Sequence, residues 1–83
     1  MKELVEFIAR ALVDDPSAVV VREIADGGLE LSASPADVGK LIGRRGRTAR
    51  ALRTVVRAAG GEQAPELAIA GGAELEGQET AAE

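Results

Sequence analysis

Glycine and proline break this chain so often that it can hold six short elements and no long one. The breaks fall at Asp14-Asp15-Pro16, Asp26-Gly27-Gly28, Ser34-Pro35, Gly43 to Gly46, Gly60-Gly61, Pro65 and Gly71-Gly72. Ahead of the first break, Leu4, Val5, Ile8, Ala11 and Leu12 recur at helical spacing between Lys2, Glu3, Glu6 and Arg10, which predicts an amphipathic helix over residues 2–13. Phe7, the chain's single aromatic residue, is assigned to the core with that apolar stripe. Residues 18–25 are rich in valine and isoleucine. Residues 29–34 alternate Leu29, Leu31 and Ala33 with Glu30, Ser32 and Ser34, so the two runs read as a β-hairpin with one buried face, turned at Asp26-Gly27-Gly28.

A helix start follows at Ser34-Pro35-Ala36-Asp37, with serine as the N-cap, proline in the first turn and aspartate favourable to the helix dipole. This helix is short and ends at Gly43. From Gly46 a second amphipathic helix begins: Ala49, Leu52, Val55, Val56 and Ala59 fall on one arc, and Arg50, Arg53 and Arg57 on the neighbouring arc. After Pro65, residues 66–70 read as a short last strand. The order is α-β-β-α-α-β, an α+β domain over residues 1–70 with a three-stranded sheet packed against helices. Residues 71–83 hold glycine, alanine and glutamate with one large apolar residue, Leu75, and are expected to form a disordered acidic tail because they bury too little to offset ordering.

Eighty-three residues, 46% of them apolar, make one compact domain with a small core, since chains of this size bury only about 60% of their unfolded surface. No cysteine is present, which excludes disulfides and thiolate metal sites and suggests a reducing, cytoplasmic setting. No run approaches the roughly 20 apolar residues of a membrane span, and no secretory leader precedes the first helix, so a soluble chain without a membrane span is expected.

The net charge of −4 is distributed unevenly. Residues 1–37 carry three bases and eight acids, and residues 62–83 carry six glutamates and no base. Residues 38–61 carry Lys40, Arg44, Arg45, Arg47, Arg50, Arg53 and Arg57 and no acid. Such a patch holds a phosphate backbone at one place while the rest of the surface repels it. At its centre stands Val38-Gly39-Lys40-Leu41-Ile42-Gly43-Arg44-Arg45-Gly46-Arg47, two glycines three apart between helices. Glycine at both ends allows a sharp turn and close approach of a backbone, the next helix offers free N–H groups to an anion, and the arginines match phosphate geometry.

This segment, VGKLIGRRGRTARALRTVVRAAG, resembles the KH family, and with the opening MKELVEFIARALVDDP it looks more narrowly like the short bacterial single-KH proteins of the KhpA group. The resemblance implies the type II KH fold and a single-stranded RNA ligand bound with limited sequence preference, as in a post-transcriptional regulator or RNA chaperone. No cofactor is expected. The resemblance also implies self-association as a homodimer and pairing with a larger KH protein of the Jag type. Carried over by position, Gly43 and Gly46 frame the clamp and Arg44 and Arg45 meet the backbone of about four nucleotides. Lys40 and Arg47 flank the clamp. Leu41 and Ile42, with Val38, either form the apolar floor of a base-binding groove or belong to the core. Arg50, Arg53 and Arg57 either extend the electrostatic track or solvate the helix, and Arg57, furthest from the loop, is assigned to solvation.

Catalysis is not expected, because histidine, cysteine and tyrosine are all absent and no carboxylate or hydroxyl has a recognisable partner. A nucleotide-binding P-loop fails because Leu41 stands where its first glycine is needed and arginine replaces its lysine. Two other readings stand beside RNA binding. One is a helix-turn-helix reader of duplex DNA, disfavoured by a second helix lacking asparagine, glutamine and serine. The other is a dimerising interaction module with an incidental basic patch.

Overall fold

A computed structural model describes residues 1–71, and the expected acidic tail lies almost wholly outside the described residues. Helix α1 spans Lys2–Leu12, strands β1 and β2 span Val20–Glu23 and Leu29–Ser32, helices α2 and α3 span Val38–Ile42 and Arg47–Gly60, and strand β3 spans Leu67–Ile69. The order expected from the breaks is therefore the order observed, an α+β arrangement. Short 3₁₀ turns at Pro16–Ala18, Pro35–Asp37, Arg44–Gly46 and Gly61–Gln63 join the elements.

The sheet runs β1-β2-β3. β1 and β2 are antiparallel, with Val20 opposite Ser32 and Glu23 opposite Leu29. The connecting turn is closed by the Ile24 N–H donating to the Gly28 carbonyl at 2.9 Å, with Gly27 at φ +83°. β3 joins β2 in parallel, Leu29 opposite Leu67 and Leu31 opposite Ile69. A parallel neighbour requires a crossover, and α2 and α3 supply it. The loop between these two helices is thereby set at one end of a rigid layer.

The side chains facing inward are aliphatic: Val5 and Ala9 from α1, Val21, Leu29 and Leu31 from the hairpin, Leu41 and Ile42 from α2, Ala49, Leu52 and Val56 from α3, and Leu67 and Ile69 from β3. Ala9 and Ala49 are fully buried, so both long helices approach the core through small residues. Phe7 corrects the expectation that placed it in the core, because it is 73% exposed. It stands two residues before Ala9, about 200° round the helix, so the face that meets the sheet carries it outward. On the hairpin's open face Arg22 lies directly opposite Glu30, with Nε 2.7 Å from Oε1.

Candidate nucleic-acid interface

The approach to the loop begins with a buried acid. Ser34 takes the cap position of the Pro35–Asp37 turn, but its hydroxyl makes no capping bond. Asp37, expected to serve the helix dipole, is instead 2% exposed. Its Oδ2 accepts the Asp15 backbone N–H at 3.0 Å, and its Oδ1 accepts from Lys40 Nζ at 3.3 Å. The Asp15 N–H holds the Asp37 carboxyl below its ordinary value, with Lys40 adding to the effect against the opposing cost of burial. Lys40 also donates to Asp14 Oδ2 at 2.7 Å, and this bond, followed by the one to Asp37, raises its pKa. The clasp fastens α2 to the segment after α1. Lys40, carried over as a flank of the RNA clamp, is engaged by two carboxylates, a contact that spacing could not show because Asp14 is 26 residues away.

Leu41 and Ile42 are 0% and 1% exposed and lie in the core cluster. This decides the alternative left open by the sequence: neither side chain has surface to offer a base. Val38 is partly buried against the same cluster.

Gly43 ends α2, its N–H donating to the Gly39 carbonyl at 2.9 Å, and takes φ +75°, ψ 171°. A Cβ built there would lie 2.8 Å from the Thr48 backbone nitrogen and overlap the Thr48 hydroxyl, so the first turn of α3 leaves no room for a side chain. Arg45 then adopts φ +57°, ψ 28°, and is the only non-glycine residue with positive φ among the described residues. Gly46 follows in the left-handed region at φ +71° and is buried. A left-handed arginine costs about 1–2 kcal/mol, and such strain persists where the surroundings impose it. Here the turn from Gly43 to Gly46 holds it, and the two central side chains are exposed.

Arg44, Arg45, Arg47 and Arg50 are all exposed around this turn. Among the described residues no carboxylate forms an ion pair with Arg44, Arg47 or Arg50. Lys40 and Arg22, by contrast, are paired. The N-terminus of α3, a helix of 14 residues, adds the positive end of its dipole at the same place. Exposed cations, a tight backbone turn and a helix N-terminus together suit an anion held by its backbone rather than by a specific edge. The helix-bearing flank of the interface is completed by Arg53, whose Nε donates to the Leu67 carbonyl of β3 at 3.0 Å. That contact joins residues 14 apart and had no sequence signal beyond the arginine itself. Among the described residues no group of acids could hold a metal ion.

On the other side of α3, Ile8 and Leu12 of α1 face Ala51, Leu52 and Val55 across a shallow groove of about 340 Å³ with Arg47 and Thr48 at its rim. Leu12 and Val55 are each 41% exposed, whereas Phe7 lies on a separate surface of α1 with Glu3, Glu6, Arg10 and Ala11. No helix of the described residues is long and apolar enough to cross a membrane.

Residues 2–68 match the family model described as KhpA/KhpB, KH domain. Among curated proteins, the RNA-binding protein KhpA of Halalkalibacterium halodurans is 58% identical over 66 residues, covering 76% of this chain and 87% of the relative. The RNA-binding protein KhpA of Clostridium perfringens is 56% identical over 62 residues, covering 71% and 83%. The Streptomyces coelicolor protein of the same name is 50% identical over 64 residues, covering 74% and 81%. No solved structure gives a significant match.

Proposed function

Starting from the fact that the chain belongs to the KhpA/KhpB KH-domain family, we propose that it binds single-stranded RNA through the loop from Gly43 to Gly46, with limited sequence preference, as a cytoplasmic post-transcriptional regulator or RNA chaperone. The observation that carries this reading is the loop itself: a turn in which Arg45 is held left-handed between two glycines, with the exposed Arg44, Arg47 and Arg50 beside it in no ion pair among the described residues. Arg44 and Arg45 meet the phosphates of about four nucleotides, and Arg47 and Arg50 flank them. Leu41, Ile42 and Lys40 act behind this surface by packing and by the clasp. Because the contacts are to backbone, affinity falls with salt and varies little with base sequence.

The apolar groove between α1 and α3 supports the second part of the proposal, self-association as a homodimer or pairing with a larger KH protein of the Jag type. Ile8, Leu12 and Val55 form a surface that the monomer leaves partly wet.

The RNA reading is tested by titrating the intact chain with single-stranded RNA and duplex DNA of equal length at several salt concentrations. RNA is expected to bind more tightly throughout, with a linear loss of log affinity against log salt. A preference for the duplex would replace the KH reading with a helix-turn-helix one.

A further inference from the structure

α3 carries cations well beyond the loop. Arg50, Arg53 and Arg57 recur at spacings of three and four, which places them on one flank of the helix. That flank faces β3, because Arg53 Nε donates to the Leu67 carbonyl, while Ala51 and Val55 on the opposite flank face α1. Like charges three and four residues apart repel one another along a helix. Arg50 and Arg57 are exposed, and among the described residues neither pairs with a carboxylate. Where the flank ends, Arg53 and Arg57 join Ala64, Pro65, Glu66 and Leu67 around a groove of about 390 Å³. Pro65 offers an apolar wall there, and the groove is walled on its other side by the β3 edge that Arg53 already holds. From Arg47 to Arg57 the helix rises about 15 Å.

We propose that the phosphate track continues from the loop along this flank of α3 and ends in the groove beside Arg57, which receives the phosphodiester of a nucleotide beyond those held at the loop. The inference rests on the RNA reading and extends its footprint. Arg57 therefore binds ligand instead of merely solvating the helix. Arg53 helps form the wall through its bond to Leu67. Glu66, exposed on the groove's own lining, and Glu62, exposed in the turn before it, repel further backbone and set the end of the track.

The test uses the full chain and unstructured RNA of two lengths, one of about four nucleotides, the span held at the loop, and one of about twice that length. Binding is read by fluorescence anisotropy across a salt series, with the statistical gain from extra registers divided out. The wild type is expected to bind the longer RNA more tightly. Arg57→Gln is expected to leave the short RNA unaffected, abolish the length gain and reduce the salt slope on the longer RNA by about 0.7, the value for one phosphate of a single strand. Arg10→Gln, which removes the same charge from exposed α1, is expected to change none of these. An Arg57→Gln effect equal at both lengths, or absent at both, overturns the track while leaving the loop reading intact. Failure of the wild type to bind either RNA overturns the RNA reading itself. Circular dichroism of each variant confirms that the helices are retained.

Discussion

Replacing Gly43 with alanine places a methyl group where the structure has none to spare. The backbone at φ +75°, ψ 171° is a region that residues with a side chain rarely enter, and holding one there costs about 1–3 kcal/mol. The added Cβ also meets the Thr48 nitrogen at 2.8 Å, so the first turn of α3 must move, an overpacking cost of about 1–3 kcal/mol more. The sum, about 2–6 kcal/mol, is comparable with the whole stability of a small domain. Gly46 differs, because a Cβ there meets nothing nearer than an Arg50 guanidinium nitrogen at 3.7 Å, leaving only the left-handed penalty of about 1–2 kcal/mol. Gly43→Ala is therefore expected to be the more destabilising change. With no tryptophan or tyrosine in the chain, urea unfolding is followed by far-ultraviolet circular dichroism. Thr48→Ala in the Gly43→Ala background removes the hydroxyl but leaves the backbone nitrogen and Cβ in place, so only partial rescue is expected. Equal losses at Gly43 and Gly46, or full rescue by Thr48→Ala, would show that the clash has been misjudged.

Leu41→Ala should cost about 2–5 kcal/mol in urea unfolding, as for any fully buried leucine, whereas Phe7→Ala should change stability by less than about 0.5 kcal/mol; similar losses at both would contradict their assigned positions. The Asp37 carboxyl is held below 3.8, so its stabilising contribution is complete above that pH and lost as pH falls through the lower folded value. Lys40 is raised above 10.5, so its contribution is complete below that pH and lost as pH rises through the higher folded value. Urea midpoints measured against pH should thus hold level through neutrality, and Asp37→Asn should shallow the acid limb; an unchanged limb would remove Asp37 from the clasp. Val55→Glu should convert a self-associated wild type to monomer in sedimentation velocity without loss of helicity, and an unchanged size distribution would place any interface elsewhere.

The element order was legible because it depends on local breaks: Pro16, Gly27, Gly43, Gly60 and Pro65 each stop an element whatever surrounds them. The loop was legible for the same reason, since Gly43 and Gly46 act on their own backbone. What escaped depends on contacts across the fold. In α1 the apolar arc is wide enough that spacing alone gave no reason to seat Ala9 inward and Phe7 outward. α2 has only five residues, too few for periodicity to define a face, so the burial of Leu41 and Ile42 required the sheet beneath them to be known. The Asp14–Lys40–Asp37 clasp joins segments more than 20 residues apart, and the nearest sequence signal, aspartate in a helix's first turn, pointed to the dipole. Arg53 looked like any solvated arginine until Leu67 was brought beside it.

The loop's role as the clamp is tested most directly by replacing Arg44 and Arg45 together with aspartate and measuring single-stranded RNA affinity in parallel with far-ultraviolet circular dichroism and sedimentation. Both side chains are exposed and point away from the core, so fold and oligomeric state are expected to be retained while RNA binding is abolished. Undiminished RNA affinity in a folded double variant would mean that the loop from Gly43 to Gly46 is not the clamp.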